Sequence, residues 1–236
     1  MKLLIKFPTR SRPDKFINVL QKYIDYAVED VHFLVTLDED DESITPSFLE
    51  KLSMIPNCTY VIGQSTGKIN ACNRDMKFAG FFDIILLASD DMIPVVKGYD
   101  QIIREKMTQL YPDTDGVLWF NDGYRGSALN TLCILGRKYY ERFGYIYHPD
   151  YKSFYCDNEF MEVANSLGKQ TYFSDVIIRH EHPFNLSKEM DELYVANEMH
   201  MEHDKYLWVA RRYHKYPLQT PRFSIVKNGS QISIQF

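Results

Sequence analysis

The segment DIILLASDDM (residues 83–92) joins an apolar run to two adjacent carboxylates. A short, continuous apolar run bounded by polar residues is typical of a strand that is buried on both faces. Asp90 and Asp91 follow this run directly, and their negative charges repel each other unless water solvates them or a cation lies between them. The segment therefore predicts either an exposed turn at the end of a buried strand or a cation site at that place.

The chain before this segment alternates strands with helices. The pattern predicts strands at residues 2–7, 31–37, 59–63 and 83–89, with helices at residues 13–27, 45–52 and 68–80. Such alternation predicts a parallel sheet flanked by helices, in which ligands bind beyond the carboxyl ends of the strands. Polar groups follow three of the four strands, and we expect them to converge on one site: Pro8-Thr9-Arg10, Asp38 and Asp90-Asp91.

The second half of the chain mixes helices and strands. The predicted elements are a helix at 99–111, strands at 116–122 and 131–136, helices at 137–143 and 157–168, an extended segment at 172–183, one long helix at 188–216 and a hairpin at 222–236. The dipeptide Asn228-Gly229 favours a type I′ turn in that hairpin. We expect one domain at residues 1–187 and a helix and hairpin appendage at 188–236, packed on the same unit.

Composition excludes several classes of protein. The 236 residues are 45% hydrophobic and 25% charged, which is ordinary for a globular protein, and the net charge of −5 argues against a global electrostatic grip on DNA or RNA. No apolar run approaches the roughly 20 residues of a membrane span, and the first residues lack the pattern of a signal peptide. The four cysteines show no CxxC spacing, so neither a zinc site nor a disulfide framework is predicted, and we expect a cytoplasmic protein.

Four segments in this order resemble GT-A-fold glycosyltransferases of the family-2-like group. They are FPTRSRP (residues 7–13), LDEDD (37–41), GKINACNRDMKFAGFFDIILLASDDM (67–92) and CDNEFMEVANSLGKQTYFSDVIIRHEHP (156–183). The resemblance implies a Rossmann-like, mostly parallel α/β sheet flanked by helices. It also implies metal-dependent transfer of a sugar from a nucleotide-diphosphate sugar, usually UDP-linked in this group, to an acceptor hydroxyl with inversion.

The resemblance implies roles for individual positions. Asp157 would be the general base that deprotonates the acceptor hydroxyl. Asp91, in the DXD-type motif, would ligate Mn²⁺ or Mg²⁺, and His180 or His182 would lie near the metal, with His180 preferred by its position. The residues implied to bind the donor nucleotide are Pro8, Thr9, Arg10, Asp38 (the base), Lys68, Asn73 and Asp90 (the ribose).

The sequence departs from the family pattern at three positions. Ser89 stands where the first acid of the acidic motif often lies, and Cys156 replaces a common Glu before the base. Cys72 stands where many relatives carry a basic residue, and Lys68 or Arg74 would supply that charge. These departures bear on the identity of the donor and on the catalytic role.

Other interpretations of these residues stay open at this point. Asp157 also suits the N-cap of a helix, and both histidines also suit an ordinary surface. The Gly-rich loop after residue 118 offers Trp119 and Asp122 as contacts for a sugar or acceptor, or is simply a surface loop. The basic segment at 208–217 is typical of a solvated helix face, or it grips an acidic acceptor.

Two other functions also fit the predicted sheet. A nucleotidyltransferase would carry a Gly-rich loop after the first strand, and residues 8–13 contain no glycine. A catalytically silent module that binds a nucleotide or a sugar would explain the missing first acid. The acceptor is open among glycans, proteins, lipids and modified nucleic acids, and the sequence does not predict an oligomeric state.

Overall fold

The computed structural model describes residues 1–64, 66–182, 192, 195, 198–217, 224–228 and 231–235. The helices are α1 (Pro13–Tyr26), α2 (Pro46–Ser53), α3 (Lys68–Asn73), α4 (Tyr99–Leu110), α5 (Arg137–Phe143), α6 (Cys156–Ser166) and α7 (Met201–Tyr213). The strands are β1 (Leu3–Thr9), β2 (Val31–Asp38), β3 (Cys58–Gly63), β4 (Ile84–Leu87), β5 (Met92–Pro94), β6 (Val117–Phe120), β7 (Ile134–Gly136), β8 (Gln170–Phe173), β9 (Ile178–His180), β10 (Ser224–Asn228) and β11 (Gln231–Gln235).

A seven-stranded sheet in the order β3-β2-β1-β4-β7-β6-β8 forms the centre of the molecule. The pairs β1–β2, β2–β3, β1–β4 and β6–β8 are parallel, and β7 runs antiparallel to both β4 and β6. The predicted mostly parallel α/β sheet is therefore confirmed.

Alternation along the strands divides the core between the two faces of the sheet. Leu3, Ile5 and Phe7 of β1 pack in one cluster with apolar residues of α1, α2 and α4. Leu4 packs in a second cluster with residues of α3, α5, α6 and α7. Because successive side chains of a strand point to opposite faces, an uninterrupted apolar strand serves both helical layers.

The strand order fixes where a ligand can bind. From β1 the chain first adds β2 and β3 on one side and then returns to add β4 on the other side. Such a reversal leaves a crevice beyond the carboxyl ends of the two central strands. Here those strands are β1 and β4, which pair over Leu3–Lys6 and Ile84–Leu87.

Two predicted helices are wrong in their extent. The helix predicted at 68–80 ends at Asn73, because Arg74 turns to extended backbone and Asp75 takes a positive φ of 73°. The guanidinium of Arg74 reaches the carbonyl of Leu37 and the carboxylate of Asp38, each at 2.7 Å, and these contacts replace a continued helix.

The helix predicted at 188–216 is interrupted by a turn at residues 199–200, and α7 begins at Met201. Residues 188–191, 193–194 and 196–197 of that prediction lie outside the described residues. In the predicted hairpin β10 and β11 do pair antiparallel, with Asn228 opposite Gln231. Gly229 lies outside the described residues, so the turn type stays a prediction.

Helix α7 packs against α6, buries Leu207 in the second cluster and also buries Ala210. Within the described residues, no helix is both long enough and apolar enough to cross a membrane.

Candidate active site

A cleft of about 330 Å³ opens at the carboxyl ends of β1, β2 and β4. Its volume is in the range of small-molecule sites. Ten of the residues that the sequence singles out line it: Pro8, Thr9, Arg10, Asp38, Lys68, Asp90, Asp91, Asp157, His180 and His182. The end of each strand thus delivers its polar residue to one place, as the parallel order requires.

Asp38, at the end of β2, lies between two arginines. Arg10 Nη1 donates to Asp38 Oδ2 at 3.0 Å, and Arg74 Nη2 donates to Asp38 Oδ1 at 2.7 Å. Arg10 also binds both carboxylate oxygens of Asp40, at 2.6 and 3.0 Å. These ion pairs fix the orientation of the Asp38 carboxylate at the wall of the cleft.

Asp90 and Asp91 are both buried after β4, and each is held by different groups. Asp90 Oδ1 accepts from Arg12 Nη1 and Lys15 Nζ, both at 3.2 Å. Burial raises the pKa of Asp90, and the two nearby cations oppose that shift. The positive charges of Arg12 and Lys15 therefore offset part of the repulsion between Asp90 and Asp91.

Asp91 is held through its side chain and its main chain. The hydroxyl of Ser89 donates to Asp91 Oδ1, so the residue at the missing first acid orients the remaining one. His180 Nε2 lies 3.6 Å from Asp91 Oδ2. The Glu181 N–H donates to the Asp91 carbonyl at 2.6 Å, which ties the two segments together.

A small second sheet brings the histidine to the acid. Strands β5 and β9 pair antiparallel, with Met92 opposite His180 and Pro94 opposite Ile178. The pairing places His180 directly beside the strand end that carries Asp91. Burial lowers the pKa of the other histidine, His182, to about 4, with the charge of Asp91 acting in the opposite direction.

Asp157 lies in the first turn of α6 and faces the same cleft. The N-cap interpretation of Asp157 is wrong, because Tyr155 is the N-cap residue, with a positive φ of 58°, and the helix begins at Cys156. Burial raises the pKa of the Asp157 carboxyl, while the N–H of Asn158 and the charge of Lys68 oppose the rise. A carboxylate with a raised pKa is a stronger base than an exposed aspartate.

Three predicted residues lie outside the cleft lining. The side-chain amide of Asn73 binds main-chain groups. Its Oδ1 accepts from the N–H groups of Ile146 and Tyr147, and its Nδ2 donates to the Tyr147 carbonyl at 2.6 Å. Trp119 packs edge-on against Tyr172. We therefore leave Asn73 and Trp119 out of the site that we propose below.

Asp122 is the third of these residues, and it organises its own loop. Its Oδ1 accepts from the N–H groups of Tyr124 and Arg125, and its Oδ2 accepts from the Thr131 hydroxyl at 2.7 Å. The Asp122 carbonyl accepts from the His180 N–H at 3.0 Å. Asp122 thus supports the position of His180 from behind, and it too is left out of the proposed ligand contacts.

The donor atoms around Asp91 suit an oxygen-preferring divalent cation in part. Within the described residues, no group of three His, Cys, Asp or Glu side chains is arranged to hold a metal by itself. Asp91 with His180 or His182 offers one carboxylate and an imidazole, and Mg²⁺ often uses only one or two carboxylates and completes its shell with substrate phosphates and water. The residues therefore fit a metal that arrives with a diphosphate.

The sequence missed several residues of the cleft. Arg12 lies in the first motif, FPTRSRP, and its ion pair with Asp90 depends on the fold of the loop after β1. Thr131, Tyr147 and Ser153 also line the cleft and belong to no motif. All four cysteines are free thiols, and Cys72 and Cys156 are among the residues that line the cleft.

Comparisons with known proteins place the fold. No protein-family model and no curated protein matches the sequence. Among solved structures, the chain is similar to the Pyrobaculum calidifontis mannosyltransferase PcManGT in complex with GDP-Man and Mn²⁺, with a TM-score of 0.66 at 14% identity. That match covers 91% of this chain and 63% of the mannosyltransferase, so the chain spans less than two thirds of that protein.

Two further structures show the same likeness. S. aureus TarS 1-349 in complex with UDP matches with a TM-score of 0.59 at 15% identity, over 91% of this chain and 72% of that one. Glucosyl-3-phosphoglycerate synthase from Mycobacterium tuberculosis, in complex with Mn²⁺, UDP and phosphoglyceric acid, matches with a TM-score of 0.57 at 12% identity, over 99% and 86%. The chain therefore has the GT-A fold that these glycosyltransferase structures share.

Proposed function

We propose that this protein is a metal-dependent glycosyltransferase that moves a sugar from a nucleotide-diphosphate donor to an acceptor hydroxyl. The observation that carries the proposal is the meeting of Asp38, Asp90, Asp91 and Asp157 in one cleft of a GT-A fold. Asp38 lies at the end of β2, Asp90 and Asp91 follow β4, and Asp157 lies at the start of α6, in the order that the family resemblance requires. Asp38, Asp90 and Asp91 are buried, whereas aspartates of ordinary solvated turns are exposed.

The donor nucleotide would occupy the end of the cleft beside β1 and β2. Asp38, held by Arg10 and Arg74, would accept a hydrogen bond from the base, and Pro8 and Thr9 would form the wall beside it. Asp90 would bind ribose hydroxyls. UDP is the donor nucleotide that we favour, because the family resemblance implies it and two of the similar structures contain UDP.

The diphosphate end of the donor would lie at Asp91. Asp91 with His180 or His182 would hold Mn²⁺ or Mg²⁺, which in such sites supplies Lewis-acid stabilisation of the negative charge on a leaving diphosphate. Ser89 and the β5–β9 pairing keep the carboxylate and the imidazole together. Lys68, which is exposed at the rim, adds a positive charge on this side of the cleft.

Asp157 would act as the general base. It would take the proton of the acceptor hydroxyl while the acceptor oxygen bonds to the anomeric carbon and the bond from that carbon to the diphosphate breaks. One displacement of this kind inverts the anomeric configuration. The rise in the pKa of Asp157 that burial causes favours this role.

The test uses purified protein with UDP-glucose, UDP-N-acetylglucosamine and GDP-mannose, with and without Mn²⁺. Nucleotide release is measured with water as the acceptor and with a panel of sugars and 3-phosphoglycerate. We expect Mn²⁺-dependent release that Asp157→Asn lowers by about 10²- to 10⁴-fold, the usual contribution of a general base. Asp91→Asn should remove the response to Mn²⁺.

Asp25→Asn is the matched control, because Asp25 is an exposed aspartate of α1 whose side chain accepts, among the described residues, only from Gln21. This variant should behave like the wild type. Equal activity of Asp91→Asn and the wild type would refute the proposal. Mn²⁺-dependent UDP binding without turnover on any acceptor would indicate a binding module instead.

A further inference from the structure

The hydroxyl of Ser153 is buried at the wall of the cleft without a hydrogen-bond partner among the described residues. The whole residue is only 5% exposed. A buried hydroxyl that makes no hydrogen bond weakens the folded state, so native proteins rarely keep one without a reason. Because Ser153 lines the cleft, a ligand that enters the cleft can supply the missing partner.

The main chain of Ser153 is held on both sides. Its N–H donates to Asp204 Oδ2 at 2.7 Å, and its carbonyl accepts from the thiol of Cys156 at 3.8 Å. Asp204, on α7, is fully buried and also accepts from the N–H groups of Lys152 and Phe154. With its backbone fixed in this way, only rotation about the side-chain bond can move the Ser153 hydroxyl.

Thr9 provides an internal comparison in the same cleft. Its hydroxyl is also buried without a partner in the described part of the chain, and Thr9 lies where the donor nucleotide is proposed to bind. Ser153 lies four residues before Asp157 along the chain, and both line the same cleft. The unpaired hydroxyls of Thr9 and Ser153 therefore both lie in the lining of a single ligand site.

We propose that Ser153 binds a hydroxyl group of a sugar, either on the donor or on the acceptor. The inference rests on the proposed function, and it adds a substrate contact that no motif indicated. A serine hydroxyl both donates and accepts, which matches a sugar hydroxyl, and it carries no charge that would select a phosphate. Asp204 is a positioning residue for this contact, because it holds the loop without lining the cleft.

Ser153→Ala separates a substrate contact from a structural role by the sign of its effects. The substitution removes an oxygen that makes no hydrogen bond within the described structure, so the thermal midpoint should stay unchanged or rise. The kcat/KM should fall about 3- to 10-fold, the size expected for one neutral hydrogen bond. Ser153→Thr, which keeps the hydroxyl, should retain more activity than Ser153→Ala.

Ser166→Ala is the matched control. Ser166 lies at the other end of α6 and donates to the Val163 carbonyl at 2.8 Å, outside the cleft. This variant should keep wild-type kcat/KM. A loss of stability in Ser153→Ala, or unchanged binding and turnover in that variant, would overturn the proposal.

Calorimetry with UDP-glucose and with UDP, both in the presence of Mn²⁺, identifies the source of the hydroxyl. If Ser153 contacts the donor sugar, Ser153→Ala weakens UDP-glucose binding about 3- to 10-fold and leaves UDP binding unchanged. If Ser153 contacts the acceptor, donor binding is unchanged and the KM for the best acceptor of the panel rises by the same factor. A wild type that binds UDP-glucose but never turns it over would refute the proposed function. In that case the calorimetric comparison of UDP-glucose with UDP would still show whether Ser153 contacts the donor sugar.

Discussion

A buried ion pair joins α6 to α7, and its burial determines how much stability is lost when the pair is broken. Arg211 Nε and Nη2 donate to the two carboxylate oxygens of Glu159, each at 2.7 Å. Arg211 is fully buried, and its Nη2 also donates to the Pro217 carbonyl at 2.9 Å. Tyr151 donates its hydroxyl to Glu159 Oε2 at 2.7 Å, so the carboxylate is satisfied only as a group of three side chains.

Arg211→Met removes the positive charge and leaves the Glu159 carboxylate buried beside one tyrosine hydroxyl. Breaking a buried pair in this way lowers the free energy of unfolding by about 3–5 kcal/mol. Adding Glu159→Gln removes the uncompensated charge while an amide oxygen keeps accepting from Tyr151. We therefore expect the double variant to be about 2 kcal/mol more stable than Arg211→Met alone, even though it carries one more substitution.

Equilibrium unfolding in urea, followed by far-ultraviolet circular dichroism, measures these differences by linear extrapolation. Arg212→Met is the control on the same helix, since Arg212 is exposed, stacks on Trp208 and pairs with Glu162 at 3.1 Å. It should cost no more than about 1 kcal/mol, the range of surface ion pairs and exposed cation–π contacts. The reasoning fails if Arg211→Met costs as little as the control, or if the double variant is less stable than the single one.

Two further predictions follow from pKa shifts. Burial raises the pKa of Asp157, so nucleotide-sugar turnover should be lost on acidification at a pH above the usual aspartate range. The charge of Lys68 opposes this rise, so Lys68→Met should move the acidic limb of the pH–rate profile to higher pH. Rates measured between pH 4 and 9 test this, and an acidic limb that moves to lower pH in the variant would contradict it. Burial lowers the pKa of Lys6 from 10.5 to about 8, so between these values the unfolded chain binds more protons than the folded one and the contribution of Lys6 to stability rises with pH. The difference in unfolding free energy between the wild type and Lys6→Met should therefore grow in favour of the wild type by up to about 3 kcal/mol from pH 8 to 10.5 in urea titrations, and a flat difference would show that Lys6 keeps its ordinary pKa.

The sheet and one wall of the cleft follow from local sequence. The apolar runs that become β1, β2 and β4 are continuous because both faces of the sheet are covered, and the residue after such a run lies at the carboxyl edge by necessity. This rule predicts the positions of Thr9, Asp38 and Asp91 at that edge. The rule needs only the order of the strands, which the alternation with helices provides.

Contacts between distant segments could not be predicted in the same way. Strands β5 and β9 contain three residues each, too few for a pattern, yet their pairing brings His180 to Asp91. The break after Asn73 depends on the reach of Arg74 to Asp38, which no local propensity encodes. Asn73 is a residue type that often contacts ligands. The structure shows that its side-chain amide instead binds the main chain of residues 146–147, which the sequence could not reveal.

Helix α7 shows where a charge pattern fails at a single residue: Arg212, His214 and Lys215 are exposed, as a solvated face predicts, and Arg211 is buried. Asp204 and Arg211 are seven residues apart, which places them two turns apart on one face of the helix. Asp204 binds the N–H groups of residues 152–154, and Arg211 binds Glu159, so the helix grips the chain on both sides of Asp157. The solvated-face interpretation of residues 208–217 fails only at Arg211 among their basic residues, because the sequence does not reveal Glu159 as the partner of Arg211. The buried face of α7 is therefore part of what holds the loop of Ser153 and the start of α6 at the cleft, and α7 cannot be separated from the proposed site.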